Sequence, residues 1–228
     1  MTVRSRRWHV DDAFCGSVPA RGEAPHDRRA SIKRRPTADV VEVGGWVFRH
    51  RSWLPVPLAI LLVMAPASPA VPLALGWVGM ACVVAGELIR LWAVRHIGVV
   101  SRTRAGRLGP LVVSGPYRLV RHPLYVGNFL LWMGFTIWSR LWWMVPVTAA
   151  AFAAQYGAIA RWEASQLRRH FGDAYDRYAS NTPAWLPRTG EVARAWRDPA
   201  RHSVRQVLFS ERGTLLALGA VALLLMLK

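Results

Sequence analysis

Lysine is nearly missing from this chain: Lys33 and Lys228 stand alone among 228 residues, against 28 arginines. Cysteine is as scarce. Cys15 sits in a polar stretch and Cys82 in an apolar one, which excludes a disulfide framework and a thiolate metal site. Charge disappears between Ser52 and Gly86, a run of 35 residues. The first 50 residues are rich in Arg, Asp, Pro, Gly and Ser and lack an apolar core of the length a signal peptide needs. Residues 1–45 therefore read as a disordered basic tail.

What is present is basic and apolar at once, with a formal charge of +17, 53% hydrophobic residues and 12 tryptophans. A basic balance of this size raises nucleic acid as a partner. The arginines, however, lie outside the apolar runs, and so much tryptophan is unusual on a nucleic-acid surface. Positive flanks on membrane helices account for the charge better, so no nucleic-acid partner is expected.

A spanning helix needs about 20 residues, so the uncharged run from Ser52 is too long for one. The segment Pro66–Pro72 breaks it into a hairpin, with a first arm near Trp53–Ala65 and a second near Leu73–Val94. Leu124–Ala160 carries one charge, Arg140, and predicts a second hairpin of Pro123–Trp138 and Leu141–Ala160. Thr214–Leu227 is an uncharged run of 14 that offers a short or tilted fifth span. Basic residues in successive flanks number 11, 0, 6, 1, 10 and 1, counted before the first arm, between the arms, over 95–121, at Arg140, over 161–212 and at Lys228, with Arg90 inside a helix. That alternation predicts an all-α, multi-pass membrane bundle of about five helices with its N-terminus in the cytosol. Within the second arm, Glu87 and Arg90 share one helix face and suit an internal ion pair or a site role equally.

Between the hairpins lies Gly115-Pro116-Tyr117-Arg118-Leu119-Val120-Arg121-His122-Pro123-Leu124-Tyr125-Val126-Gly127. It sets arginines, a histidine and tyrosines at the cytosolic mouth of an apolar segment. Pro123 suits the first turn of a helix, where its missing N–H is not needed, and the free N–H groups of that turn make a polar site. Gly115 and Gly127 allow close approach of backbone or ligand. Taken singly, these residues have plainer readings. His122 serves as a hydrogen-bonded anchor, Tyr117 and Tyr125 as interfacial belt residues, and Arg118 and Arg121 as topology determinants.

The second cluster runs from Arg161 to Tyr178. Leu167, Phe171, Ala174, Tyr175 and Tyr178 recur at spacings of three and four, which predicts an amphipathic helix leaving the membrane. Alone, it reads as a basic helix resting on anionic lipid.

In this order and spacing, the first motif followed by Glu163, Leu167, Phe171-Gly172, Tyr175, Tyr178, Pro183 and Pro187 resembles the isoprenylcysteine carboxyl methyltransferase and phospholipid methyltransferase family. The resemblance runs from about Arg90, eight residues before Gly98, to Arg188. It implies an integral membrane enzyme core over 46–188 with S-adenosylmethionine as cofactor and no metal, followed by an extension over 189–228. It also implies that Tyr117, Arg121, His122, Pro123, Tyr125, Gly127, Glu163 and Leu167 hold the cofactor, the second helix closing over it. His122 and Glu163 become the candidate catalytic groups. The implied partner is a lipophilic small molecule or lipidated substrate drawn from the bilayer, against walls from Phe129, Trp132 and Trp162 and near Arg161. With the arginine bias of a GC-rich genome, a bacterial inner membrane is the expected setting.

The pattern departs from the family at two places. Members carry a pair of glutamates where this chain has Glu163 and Ala164, and the carboxyl methyltransferases carry an arginine where it has Ile159. Arg161 is displaced by two residues, about 200° around a helix. The expected acceptor is therefore a smaller or neutral lipid rather than a prenylcysteine acid. Membrane sterol reductases using NADPH are similar in the cofactor region, and a non-catalytic scaffold with a degenerate core is a third reading.

Overall fold

The computed structural model describes residues 38–68, 72–98 and 109–227, which are helical with no strand. Most of the expected tail lies outside the described residues. From Ala38, however, the chain is already helical: α1 covers Ala38–His50. Gly44 and Gly45 let α1 lie directly on α6 (Met144–Phe171), where added Cβ atoms would meet the Ala158 carbonyl at 2.5 Å and the Trp162 ring at 2.9 Å.

The first expected arm is shorter than the sequence suggested. Residues 51–55 form turns, and α2 is confined to Val56–Met64. Nine residues reach about 14 Å at 1.5 Å per residue, half of an apolar bilayer core. The second arm is longer than expected, since α3 spans Leu73–Ile97 before ending at Gly98. After a short α4 (Pro116–Leu119), α5 covers Pro123–Trp138 and starts at the proline anticipated for its first turn.

The expected single helix over 161–178 is divided. α6 runs unbroken out of the apolar segment to Phe171, and Gly172, at φ 51°, reverses the chain into α7 (Asp173–Asn181). A left-handed glycine is the ordinary way to end a helix. A 3-10 turn, Thr189–Glu191, and α8 (Val192–Arg197) lead to α9, Val204–Met226. Its Ser203–Gln206 capping box starts α9 ten residues before the uncharged run seen in the sequence.

Helices α3 and α5 pack antiparallel along a seam of small residues. A Cβ on Gly79 would lie 2.6 Å from the Gly134 carbonyl, and one on Gly86 would lie 2.7 Å from that of Gly127. Backbones this close need glycine on both helices. At the other end of α5, Leu62, Phe135, Leu141, Met144 and Leu225 join α2, α5, α6 and α9 in a common apolar cluster.

Two helices, Ala74–Ile97 and Val204–Met226, are long and apolar enough to cross a membrane. Only 22% and 11% of their most apolar windows are buried, whereas the core helix of a soluble protein hides its apolar surface. The chain reads as a membrane protein.

Candidate functional site

His122 is the N-cap residue of α5, and Tyr125 stands one turn inside that helix. Glu163 comes from α6, just past the last residue of its apolar segment, Ala160. Packing of α5 on α6 brings the three together. The Tyr125 hydroxyl donates to Glu163 Oε1, and His122 Nδ1 lies 3.7 Å from Oε2 of the same carboxylate. The rings of Trp185, His122, Tyr125 and Tyr156 follow one another at centroid separations of 5.2, 5.6 and 4.7 Å.

A cavity of about 130 Å³ opens beside this group, roomy enough for several water molecules. Arg121, His122, Pro123, Tyr125 and Glu163 line it, with Tyr117. Burial pushes the Glu163 carboxyl up to about 7, a rise that the Tyr125 hydrogen bond and the charge of Arg51 only partly offset. Burial also lowers His122 to about 4, assisted by the charge of Arg121. At neutral pH the histidine is an uncharged base and the carboxyl is poised between its two forms.

The tyrosines are not a belt at the membrane surface: Tyr117 retains 6% of its exposure and Tyr125 points at Glu163. The motif is held from outside by α7 and the segment that follows it. Tyr178 donates to the Tyr117 carbonyl at 2.8 Å, and the Arg121 amide donates to the Pro183 carbonyl at 2.9 Å. Asp198 accepts from the Gly115 amide at 2.8 Å and from Arg118 at 3.0 Å. Trp196 stacks on Trp92 at 4.5 Å. The expected C-terminal extension is thus stitched into the core.

Other expected site residues fall elsewhere. Gly127 packs against Gly86 and Arg90 in the helix seam. Phe129 is exposed, and Trp132 packs on Phe135 and Phe152. Trp162 lies under Phe48 of α1 at 4.7 Å, so the helix that the sequence hid in the tail covers one of the anticipated substrate walls. Arg161 is exposed, and neither it nor Leu167 lines this cavity.

The sequence reading missed Phe48, Arg51 and Asn128 as lining residues. Asn128 did carry a signal, an amide inside an apolar run beside Gly127. Arg51 looked like any other flanking arginine. Arg90 forms the ion pair with Glu87 at 2.9 Å and also lines the cavity.

The donor set suits S-adenosylmethionine. A partly buried carboxylate, Glu163, answers a cationic or hydroxylated ligand group. Arg121, whose Nε is buried without a hydrogen-bond partner, answers a carboxylate. Among the described residues no three His, Cys, Asp or Glu side chains gather to hold a metal ion.

The chain is similar in sequence to one known family and to several known proteins. The phospholipid methyltransferase family matches residues 75–174. The chain is 38% identical over 111 residues to the nickel-cobalt-cadmium resistance protein NccN of Alcaligenes xylosoxydans xylosoxydans, a match covering 49% of each chain. It is 38% identical over 117 residues to the cobalt-zinc-cadmium resistance protein CzcN of Cupriavidus metallidurans, covering 51% of this chain and 49% of that one. To protein-S-isoprenylcysteine O-methyltransferase B of Arabidopsis thaliana it is 28% identical over 117 residues, covering 48% of this chain and 57% of the plant protein. The chain thus spans about half the length of the curated relatives it matches. No solved structure matches it. The matched residues 75–174 hold nearly all of α3 and the whole of α4, α5 and α6.

Proposed function

We propose that this chain is an integral membrane methyltransferase that transfers a methyl group from S-adenosylmethionine to a lipophilic acceptor. The observation that carries the reading is the meeting of His122, Tyr125 and Glu163 at one cavity, inside a segment of the methyltransferase family. When bound, S-adenosylmethionine would supply an electrophilic methyl on a cationic sulfur. Glu163 would hold the cationic or ribose side of that ligand, Tyr125 orients the carboxylate, and Arg121 would bind the carboxylate end. His122, uncharged at neutral pH, can accept a proton from an acceptor hydroxyl or amine. Methyl transfer asks the protein chiefly for alignment and exclusion of water, and Phe48, Tyr117 and Tyr125 in the cavity lining offer apolar walls toward both.

The acceptor enters from the bilayer while the methyl donor enters from the cytosol. The proposed topology has five membrane-inserted segments, of which α2 reaches only half of the apolar core, with the N-terminus, residues 95–122 and residues 161–212 on the cytosolic side of a bacterial inner membrane. Its support is the alternating arginine count. Titrating the purified chain with S-adenosylmethionine and with NADPH tests the reading. Heat of binding for the first alone, with radiolabelled methyl groups appearing in a host lipid extract, is the expected result. Binding of NADPH alone would replace this reading with the reductase.

A further inference from the structure

Arg90 sits in the middle of an apolar helix, yet three of its nitrogens have side-chain partners. Its Nε donates to Glu87 at 2.9 Å, its Nη2 donates to Glu211 at 2.8 Å, and its Nη1 donates to Asn128. These partners come from three different helices: Glu87 from α3 itself, Asn128 from α5 and Glu211 from α9. Arg90 retains 5% of its exposure and Glu211 1%. Charged groups at this depth are costly unless paired, so the cluster stands or falls as a unit.

The cluster also reaches the cavity, because Arg90 and Asn128 both line it. Asn128 meets the Tyr156 hydroxyl, and the Tyr156 ring stacks 4.7 Å from Tyr125, the residue that donates to Glu163. A guanidinium is a planar fork with fixed donor directions. One bond to Glu87, three residues away on the same helix, leaves that plane free to turn. A second bond to a carboxylate on another helix fixes it, and with it the direction in which Nη1 addresses Asn128.

We propose that Glu211 is a positioning residue of the cavity, acting through Arg90 on Asn128, so that α9 is a working part of the site although it lies outside the family segment 75–174. This rests on the reading of the cavity as the methyl-donor site. α9 is then more than an extra membrane anchor. Loss of its one buried carboxylate should disturb ligand binding across the bundle.

The test uses the full chain in lipid nanodiscs, with S-adenosylhomocysteine as the calorimetric probe. Three readouts are taken: affinity, melting temperature and hydrogen exchange over residues 123–128. Glu211→Gln keeps the shape and an acceptor oxygen, which guards against a variant that fails to fold. Glu211→Ala removes both, and Val207→Ala, which trims a buried apolar side chain of α9, is the packing control. The expected result is at least tenfold weaker binding for Glu211→Ala, a smaller loss for Glu211→Gln, and faster exchange in the first turns of α5. In an Asn128→Ala background, Glu211→Ala should then add little to the loss of affinity. Equal falls in melting temperature for Glu211→Ala and Val207→Ala, with affinity and α5 exchange unchanged, would overturn the proposal. Fully additive losses with Asn128→Ala would do the same. If the wild-type chain binds no S-adenosylhomocysteine, the methyl-donor reading fails, and α5 exchange alone still decides whether Glu211 positions that end of the helix.

Discussion

Helices α3 and α5 meet in two different ways along one seam. Toward one end, Gly79 and Gly86 face Gly134 and Gly127, and backbone lies on backbone. At the other, Arg90 reaches across to Asn128, and α5 opens onto the cavity with His122 and Tyr125. The first contact sets how close the helices come; the second uses that separation to place polar groups. A fault in the glycine seam should therefore damage stability and binding together, whereas a fault at the polar end should damage binding out of proportion to stability.

The largest expected effect comes from breaking the seam. A Cβ on Gly86 would lie 2.7 Å from the Gly127 carbonyl and 2.9 Å from the Leu131 amide, both backbone atoms that cannot rotate away. Gly86→Val should therefore cost about 1–3 kcal/mol or more through overpacking, seen as a fall in melting temperature with loss of ligand binding. Gly219 on α9 has nothing within 4 Å of its would-be Cβ. Gly219→Ala should be neutral or should stabilise by up to about 1 kcal/mol through helix propensity. Similar losses for both variants would show that the seam is not special.

Next comes the carboxylate at the polar end. Glu163→Gln should weaken S-adenosylmethionine binding by about 1.5–3 kcal/mol, roughly tenfold to a hundredfold, without lowering the melting temperature at pH 8. Binding of the cation by the wild type should also depend on pH. A carboxyl that titrates at about 7 is mostly ionised at pH 8 and mostly protonated at pH 6. Affinity should then fall about tenfold on acidification over that range. A pH-independent affinity in the wild type would remove Glu163 from the cation's side of the site.

Stability should respond to pH in two opposed parts. Glu163 is raised above its ordinary value to about 7, so its contribution is fully present below pH 4.5 and is lost as pH rises to about 7. His122 is lowered to about 4, so its contribution is present above pH 6.5 and is lost as pH falls to about 4. The two nearly cancel in the wild type. Thermal melts of Glu163→Gln should lose stability from pH 6.5 to 4, and those of His122→Asn should gain it from pH 7 to 4.5. Parallel profiles in both variants would deny the opposition.

The two ends of the seam also differ in how far they could be read in the sequence. Pro123 marked the start of α5, and the spacing from the His122 motif to Glu163 marked the pair that the structure brings together, because both depend on local helix periods and on one family pattern. Arg51 and Phe48 could not be read, since they reach the cavity only through α1 docking on α6 at Gly44 and Gly45. Those two glycines looked like part of a loose tail. Trp162 was misread for the same reason: a tryptophan at the mouth of a span looks like a substrate wall until another helix covers it. The break at Gly172 was a left-handed glycine inside a periodic pattern, and the period hid it.

The smallest expected effect concerns Arg161, and it sharpens the question of what the polar end accepts. Arg161 is exposed and lies off the cavity, two residues from the buried Ile159 that replaces the family's arginine. Arg161→Ala should leave S-adenosylmethionine affinity and methyl transfer to host lipid within about twofold, as expected of an exposed side chain away from the chemistry. The same assay run with farnesylated cysteine analogues should give poor turnover in both proteins, because no arginine of α6 faces the site. Apolar walls discriminate between acceptors by only about 1–3 kcal/mol per methylene, so several lipids should be methylated slowly rather than one quickly. Fast methylation of the farnesylated acid that vanished in Arg161→Ala would mean that α6 turns this arginine toward the acceptor, and that the polar end is built for a carboxylate after all.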